Sequence, residues 1–161
     1  MRIIEYNRQK VLEYAKTWAL KRNPNYYNFS NNGGDCTNFA SQCVFAGCGI
    51  MNYTPIMGWY YINSEKRTAA WTGVDFFYNF MTKNKGIGPF AKDVAIDHVQ
   101  IGDIVQLEDS LQNYYHSLVV TKIDSEGIYV SAHDFDAYNR PLRSYSYYAL
   151  RCLHIVGARE V

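Results

Sequence analysis

The first third of the chain carries apolar residues at the spacing of an α-helix. They recur over residues 8 to 22 at Val11, Tyr14, Ala15 and Trp18, which predicts a first helix there. The dipeptide Asn23-Pro24 ends this helix, because proline forces the residue before it towards extended conformations. A polar loop from Asn28 to Gly34 follows.

A second helix is predicted immediately after that loop. Asp35 is a favourable N-cap residue and Gly47 a favourable stop, so the helix spans residues 36 to 46. One face carries small residues at helical spacing, namely Cys36, Ala40, Cys43 and Gly47. This stripe of small residues predicts that the helix packs closely against a sheet.

A third, shorter helix is predicted to run from Thr72 to about Lys83, after an irregular stretch over residues 50 to 71. The tetrapeptide Thr72-Gly73-Val74-Asp75 resembles a capping box in which aspartate replaces glutamate. The apolar side of this helix consists of Phe76, Phe77, Phe80 and Met81.

The last third of the chain changes to the patterns of β-strands, which are rich in β-branched residues and bounded by turns. Strands are predicted at residues 104 to 107, 117 to 123, 128 to 133 and 150 to 156. Helices followed by strands predict an α+β fold with an antiparallel sheet. No linker or repeat divides the chain, so residues 1–161 are predicted to form a single domain.

Composition narrows the class of partner. Apolar residues make up 48%, charged residues 19%, and the formal net charge is +1, so nothing indicates a nucleic-acid or membrane surface. No run approaches the roughly 18 apolar residues of a membrane span, and no apolar segment of a signal peptide follows the N-terminus. As given, the chain is expected in the cytoplasm, although a secreted protein trimmed of its leader would read the same.

The chain is rich in aromatic residues, with fifteen Tyr, eight Phe and three Trp. Tyrosine combines an apolar ring with a polar tip, which suits a cleft that binds a polar substrate. The same residues equally suit an aromatic core. Composition leaves both interpretations open.

The four cysteines do not indicate a disulfide scaffold or a zinc site. Seven residues of helix separate Cys36 from Cys43 by about 10.5 Å, beyond the roughly 7 Å limit of a disulfide. No CxxC pair or second close pair of ligands is present, which disfavours structural zinc. Cys43, Cys48 and Cys152 are expected to be buried structural residues.

Cys36 differs from the other cysteines because it opens a helix after a loop of Ser, Asn and Gly. Free N–H groups and the positive end of the helix dipole at that position stabilise an anion, which favours a reactive thiolate. The same N–H groups suit an oxyanion, the negatively charged oxygen of a tetrahedral intermediate. We therefore predict Cys36 as a nucleophile.

A nucleophilic thiol requires a base, and His116 is the preferred candidate. It opens the strand predicted at 117 to 123, whose neighbour ends at His133, whereas His98 and His154 lack this setting. A catalytic pair would place the Cys36 sulfur within about 4 Å of a His116 ring nitrogen. The candidates for the residue that orients His116 are His133, Asp134 and Asp136.

Several segments together resemble a known family. Asp35-Cys36-Thr37-Asn38-Phe39 is similar to the DC(S/T)-x-F signature of NlpC/P60-type cysteine peptidases, and the resemblance is closer to the putative amidase domain family of Gram-positive bacteria. The other matching segments, in the family's order, are Asn23-Pro24-x-Tyr26, Trp59-Tyr60-Tyr61, Trp71-Thr72, Gly102-Asp103, His116-Ser117 and Ser131-Ala132-His133.

This resemblance implies a papain-like fold in which the catalytic cysteine starts a helix packed on an antiparallel sheet. It implies Cys36 as nucleophile, His116 as base and His133 as the orienting residue, with no metal or cofactor. The implied reaction is hydrolysis of an amide in a peptide, such as a cell-wall peptide, through a thioester. The alternative is a non-catalytic peptide- or glycan-binding module that uses the aromatic cleft.

Overall fold

A computed structural model describes all residues, 1–161. Four α-helices pack on one seven-stranded antiparallel sheet, which confirms the predicted α+β class. The helices are α1 (Arg8–Trp18), α2 (Cys36–Cys48), α3 (Ala69–Thr72) and α4 (Val74–Lys83). The strands are β1 (Arg2–Ile4), β2 (Gly88–Val94), β3 (Ile104–Glu108), β4 (Tyr114–Asp124), β5 (Gly127–Ala132), β6 (Ala137–Pro141) and β7 (Ala149–Glu160).

The first two predicted helices exist, with shifted ends. Helix α1 stops at Trp18 instead of residue 22, since the Lys21 N–H donates to the Trp18 carbonyl and closes a tight turn. Helix α2 continues through Gly47 to Cys48, because the residue in the left-handed C-terminal position is Gly49, at φ +69°. None of the helices is long and apolar enough to cross a membrane.

The third predicted helix is divided in two, and its capping box is wrong. Thr72 ends α3, Gly73 lies between the helices, and α4 begins at Val74 without a side-chain cap. Of the predicted apolar side, Phe77 is buried while Phe76 is exposed. The break at Gly73 turns the following helix so that only part of its aromatic side faces the core.

All four predicted strands are present, and three further strands complete the sheet. The strand order is β1-β7-β3-β4-β5-β6, with β2 also paired to the long strand β7. The strands that the sequence patterns missed are β1, β2 and β6. The first and last of these have only three and five residues, which is too short for an alternating pattern to stand out.

The sheet separates two apolar cores. The larger core of 23 residues lies under the helices and includes Val119 of β4, while the smaller core of 9 residues on the other face includes Leu118 and Val120. The small-residue stripe of α2 was predicted to pack against the sheet, but its Gly47 faces Tyr6 and α1 instead. A Cβ at Gly47 would lie 2.5 Å from the Tyr6 ring and 2.7 Å from Val11, so this glycine allows α1 and its N-terminal lead-in to approach.

Candidate active site

Cys36 is the first residue of α2, as predicted, and it lies against β4. Its side chain is largely buried, and the residue is 8% exposed. The helix starts at this residue, so the Cys36 N–H has no acceptor within the helix and no other backbone acceptor. An unpaired N–H beside the thiol is the group that an oxyanion requires.

The sulfur of Cys36 lies beside an open edge of β4. Its contacts are the Tyr115 carbonyl oxygen at 4.0 Å, the Ser117 N–H and the Thr37 hydroxyl at 3.8 Å. These backbone groups point towards β5, which ends at Ala132 and leaves them without a strand partner. The sulfur therefore contacts the backbone on either side of residue 116, at Tyr115 and at Ser117.

His116 lies on β4 at this point, but it makes no hydrogen bond to the Cys36 sulfur. Strand alternation directs its side chain to the face of the smaller core, where its ring centroid lies 6.1 Å from that of Tyr145. The neighbouring Ser117 points the other way and bonds to Thr37 of α2. The two predicted residues thus adjoin only through the backbone of β4, and the expected contact between the Cys36 sulfur and a His116 ring nitrogen is not formed.

Burial shifts the protonation of both groups towards their neutral forms. It raises the pKa of the Cys36 thiol, an effect that the Ser117 N–H and the Thr37 hydroxyl oppose. It lowers the pKa of His116 to about 4, against a smaller opposing effect of Asp134. At neutral pH the resting pair is a thiol and an uncharged imidazole, and not the thiolate predicted from the helix start.

Asp35, the residue before the nucleophile, is fully buried and gathers several groups. Its carboxylate accepts from the Phe29 N–H at 2.8 Å, the Asn38 amide at 2.9 Å and His133 Nδ1 at 2.6 Å. The Arg22 Nε lies 3.2 Å away as an ion-pair partner, outside hydrogen-bond geometry. Burial raises the pKa of Asp35, but these hydrogen bonds outweigh it and the pKa lies below its usual value.

His133 does not orient His116, so that part of the prediction differs from the structure. Its Nδ1 bonds to Asp35, and its Nε2 bonds at 2.9 Å to the Trp18 carbonyl of α1. Its ring also stacks on Phe39, with the centroids 4.3 Å apart. Both ring nitrogens are occupied on the helix side of the sheet, so His133 anchors the start of α2 between α1 and the sheet.

Asp134 is a carboxylate whose charge acts on both candidate catalytic groups. Its Oδ2 accepts from the Asp35 N–H at 2.8 Å, and its Oδ1 accepts from the Ser30 hydroxyl at 2.7 Å. Its charge raises the pKa of Cys36, in the same direction as the larger effect of burial. It also raises the pKa of His116, where it opposes the larger effect of burial. Asp136, the other carboxylate considered, instead forms a two-point ion pair with Arg22.

The other polar residues of the motif around Cys36 hold the helix in place. The Asn38 amide nitrogen donates to the Tyr27 carbonyl at 3.0 Å, and its oxygen accepts from the Trp71 indole at 3.0 Å. The Ser41 hydroxyl accepts from the Trp59 indole and donates to the Trp71 carbonyl. The conspicuous tryptophans of the sequence thus belong to the core that supports α2.

Sequence reasoning missed two residues near the site. Arg22 joins Asp35, Asp134 and Asp136, yet nothing in its sequence neighbourhood marks it. Gln106 is fully buried in β3 and bonds to Ser117. Its signal was visible as a single amide among the apolar residues of that strand.

The remaining cysteines and a large cavity lie away from this site. Cys43, Cys48 and Cys152 are buried and unpaired, as expected for structural cysteines. A cavity of about 700 Å³ has His154 on its lining and does not include Cys36. No group of three or more His, Cys, Asp or Glu side chains is arranged to hold a metal ion.

The sequence is similar to one family and to two curated proteins. The profile of the putative amidase domain family matches residues 5–156. The uncharacterized proteins YhbB and YjcM of Bacillus subtilis (strain 168) are each 28% identical, over 139 and 144 residues and 84% of this chain. The matches cover 44% of YhbB and 32% of YjcM, so this chain spans less than half of either relative. No solved structure matches the fold at a significant level.

Proposed function

Because the chain belongs to the putative amidase domain family, we propose that it is a cysteine-dependent hydrolase of amide bonds, with Cys36 as nucleophile and His116 as base. The observation that carries the proposal is the position of the Cys36 sulfur. It lies at the start of α2 beside an unpaired N–H, and it contacts the β4 backbone at the two residues next to His116. The arrangement of a helix-start cysteine on an antiparallel sheet supports a papain-like, NlpC/P60-type relationship as part of this proposal.

The proposed reaction starts from a neutral thiol and a neutral imidazole. The His116 side chain turns about its Cα–Cβ bond towards the edge of β4 and accepts the thiol proton as the sulfur attacks the amide carbon. Hydrogen bonds between catalytic groups are often longer without substrate and shorten when it binds. The pKa of about 4 makes His116 a weak base that is nevertheless unprotonated at neutral pH.

Bond changes then follow the general course of covalent acyl transfer. The new C–S bond gives a tetrahedral oxyanion, which the Cys36 N–H binds. The C–N bond breaks as His116 returns its proton to the leaving amine. A water molecule, deprotonated by His116, hydrolyses the thioester and releases the carboxylic acid and the free thiol.

We further propose Asp134 as the residue that supports His116, in place of His133. Its carboxylate acts on the His116 ring through its charge and stabilises the imidazolium that forms during proton transfer. Bonds from Ser30 and the Asp35 N–H hold that carboxylate in place. His133 contributes indirectly, because it fixes Asp35 and thereby the start of α2.

The proposed substrate class is a peptide amide, with cell-wall peptide as the first substrate to test. Exposed aromatic side chains lie in segments that adjoin the site, namely Tyr27, Tyr115 and Phe135. Tyr115 immediately precedes His116, and Phe135 immediately follows Asp134. Such side chains offer flat apolar surfaces with polar edges to a peptide or its attached sugar.

The experiment compares wild type with Cys36→Ala on a panel of peptide amides, with release of amine as the measurement. Hydrolysis by wild type that the variant lacks supports the proposal. Cys48→Ala is the matched control, because Cys48 is 7% exposed and lies at the other end of α2. Substrate binding by both proteins without turnover would instead identify the non-catalytic binding module.

Labelling with iodoacetamide gives a second measurement that needs no substrate. Cys36 should react before Cys43, Cys48 and Cys152, since burial raises the pKa of each of those three thiols without comparable strand N–H and hydroxyl donors. Equal labelling of all four thiols would contradict the proposal.

A further inference from the structure

We propose that a chain of hydrogen bonds from Arg151 through Gln106 and Ser117 to Thr37 aims the Thr37 hydroxyl hydrogen at the Cys36 sulfur. Gln106 and Arg151 would then be positioning residues for the thiol, although neither touches it. The inference rests on the proposed function only in taking Cys36 as the reactive thiol. It concerns how the protein stabilises the thiolate once the proton has left.

The chain is continuous and buried over most of its length. The Arg151 Nε lies 2.8 Å from Gln106 Oε1, and Gln106 Nε2 lies 3.1 Å from Ser117 Oγ. Ser117 Oγ lies 2.9 Å from Thr37 Oγ1, which lies 3.8 Å from the Cys36 sulfur. Gln106, Ser117 and Thr37 are at most 1% exposed, so water does not compete for these groups.

The chemistry of the two ends fixes the orientation of the Gln106 amide. Arg151 is a guanidinium that can only donate, so the amide oxygen must face it. On the other side, Gln106 Nε2 also lies 3.0 Å from the Val74 carbonyl, which can only accept. A flipped amide would place donor against donor and acceptor against acceptor, so both amide hydrogens point to Val74 and Ser117.

The direction of the bonds that follow is set by this orientation together with the fact that Thr37 Oγ1 is the one acceptor available to the Ser117 hydroxyl hydrogen. Ser117 Oγ accepts from Gln106, so its own hydrogen is free to point at Thr37 Oγ1. Thr37 Oγ1 accepts that hydrogen, and its remaining contact is the Cys36 sulfur. The Thr37 hydroxyl hydrogen therefore points at the sulfur, where it stabilises negative charge more than a neutral thiol.

Arg151 is held firmly enough to set this direction. Its guanidinium lies between the rings of Tyr78 and Tyr114, with its central carbon 3.8 Å from each centroid. A further nitrogen donates to Asp75 at 2.8 Å. The chain of hydrogen bonds thus begins at a fixed cation on the helix side of β7. Through its bond to Asp75, this cation also links α4 to the chain that leads to the Cys36 sulfur.

The charged groups around the thiol give this hydroxyl a specific task. From the segment after β5, Asp134 raises the Cys36 pKa. From the loop before α2, Asp35 is paired with His133 and Arg22. From β4, His116 lies between the two residues whose backbone contacts the sulfur, and it makes no hydrogen bond to the sulfur itself. The Thr37 hydroxyl and the N–H groups of Thr37 and Ser117 are the donors that oppose burial at the sulfur.

Two substitutions test the direction of the chain. Gln106→Glu replaces the amide donor by a carboxylate, so Ser117 donates to residue 106, Thr37 donates to Ser117, and the sulfur loses its hydroxyl donor. Thr37→Val removes the same donor without adding charge. For both variants we expect the Cys36 pKa to rise by about one unit, which slows alkylation at neutral pH about tenfold.

The measurement is the pH dependence of iodoacetamide labelling at the Cys36 peptide, with thiolate absorbance relative to Cys36→Ala as a second readout. Thr37→Ser keeps the hydroxyl and should restore the wild-type profile. The matched control is Thr121→Val, which removes a buried hydroxyl of β4, the strand that carries Ser117; this hydroxyl lies 2.7 Å from that of Ser131. This control should leave the Cys36 profile unchanged.

An unchanged Cys36 pKa in both Gln106→Glu and Thr37→Val would overturn the inference. A shift in Thr121→Val as large as in Thr37→Val would also overturn it, because general loosening of β4 would then explain both. The outcome is separate from that of the proposed function. If Cys36→Ala still hydrolyses substrate, the function fails, whereas the hydrogen-bond chain is judged by the thiol profile alone.

Discussion

Two buried aspartates of this protein, Asp35 and Asp103, have the same kinds of neighbours at different ends of the fold. Each follows a glycine with positive φ, +100° at Gly34 and +89° at Gly102. Each carboxylate accepts a backbone N–H and pairs with one arginine and one histidine. We call the groups around them the Asp35 cluster (Arg22, Asp35, Asn38, His133) and the Asp103 cluster (Arg8, Asp103, His154).

The two clusters differ in what they connect. The Asp103 cluster joins the start of α1 to β7, since Arg8 also donates to the Ile155 carbonyl and Asp103 accepts the Ile155 N–H. His154 borders the large cavity, with a side chain that is 17% exposed. In the Asp35 cluster both Asp35 and His133 are at most 1% exposed, and the next residue is Cys36.

The Gly-Asp turn has a structural role in both places. A short turn buries a carboxylate, and arginine, histidine and backbone N–H groups compensate its charge. What distinguishes the Asp35 cluster is its neighbour, because the same anchoring also sets the position of a thiol at a helix start. Its histidine is therefore a poor candidate for acid–base catalysis and a good one for support.

The largest expected effect is on stability. Asp35→Ala should lower the free energy of unfolding by about 3–5 kcal/mol, because it leaves the buried His133 without the carboxylate that pairs with its Nδ1 and removes the acceptor of the Phe29 N–H and the Asn38 amide. Asp103→Ala should cost less, about 1–3 kcal/mol, since its partners are partly exposed to water. Urea unfolding followed by tyrosine and tryptophan fluorescence measures both. A larger loss of unfolding free energy for Asp103→Ala than for Asp35→Ala would contradict the predicted difference between the two clusters.

The next effect separates anchoring of the site from anchoring of the fold. Asp35→Asn should slow iodoacetamide labelling of Cys36 by about 10–100-fold, because small displacements of a reactive group have effects of that size. Asp103→Asn serves as the control at equal burial and should change labelling less than threefold, at a temperature where both variants are folded. Equal slowing by the two variants would show that general destabilisation, and not the position of Cys36, controls reactivity.

A titration of His116 sharpens the contrast between the anchoring histidines and the proposed base. Burial lowers its pKa to about 4, so its imidazole NMR signal should titrate about two and a half units below the ordinary value of 6.5. His116→Asn identifies the signal. The unfolded chain binds this proton first, so His116 stabilises the fold fully above about pH 6.5 and loses that contribution as pH falls towards 4. A midpoint between 6 and 7 would contradict the burial of the ring.

The smallest effect is the acid dependence of the Asp35 cluster. The folded pKa of Asp35 lies below 3.8, so its contribution to stability is present above that pH and is lost as pH falls through the folded pKa. The difference in unfolding free energy between wild type and Asp35→Asn should therefore narrow below about pH 4. Asp124→Asn, which alters an exposed carboxylate, is the control. A difference that stays constant down to pH 2.5 would mean that folding does not lower the pKa of Asp35.

Local sequence by itself determined the elements that carry the candidate pair. The Gly-Asp turn before Cys36 predicts a helix start, because aspartate suits the position before a helix and glycine permits the turn. The β-branched run after His116 predicts the strand that faces it. Both elements are confirmed, but the Asp35 carboxylate makes no capping bond to α2 and instead accepts from Phe29, Asn38 and the distant His133.

Tertiary structure alone decided which side chains meet. The family resemblance implied that His133 orients His116, but β5 ends at Ala132, so the position of the next residue is not set by the strand. The ring of His133 turns to Asp35 and Trp18, which lie about a hundred residues away in sequence. Long-range burial also lowers the pKa of His116 and raises that of Cys36. Patterns of neighbouring residues carry no information on such partners, because hydrogen-bond satisfaction in a core depends on which distant segments close around it.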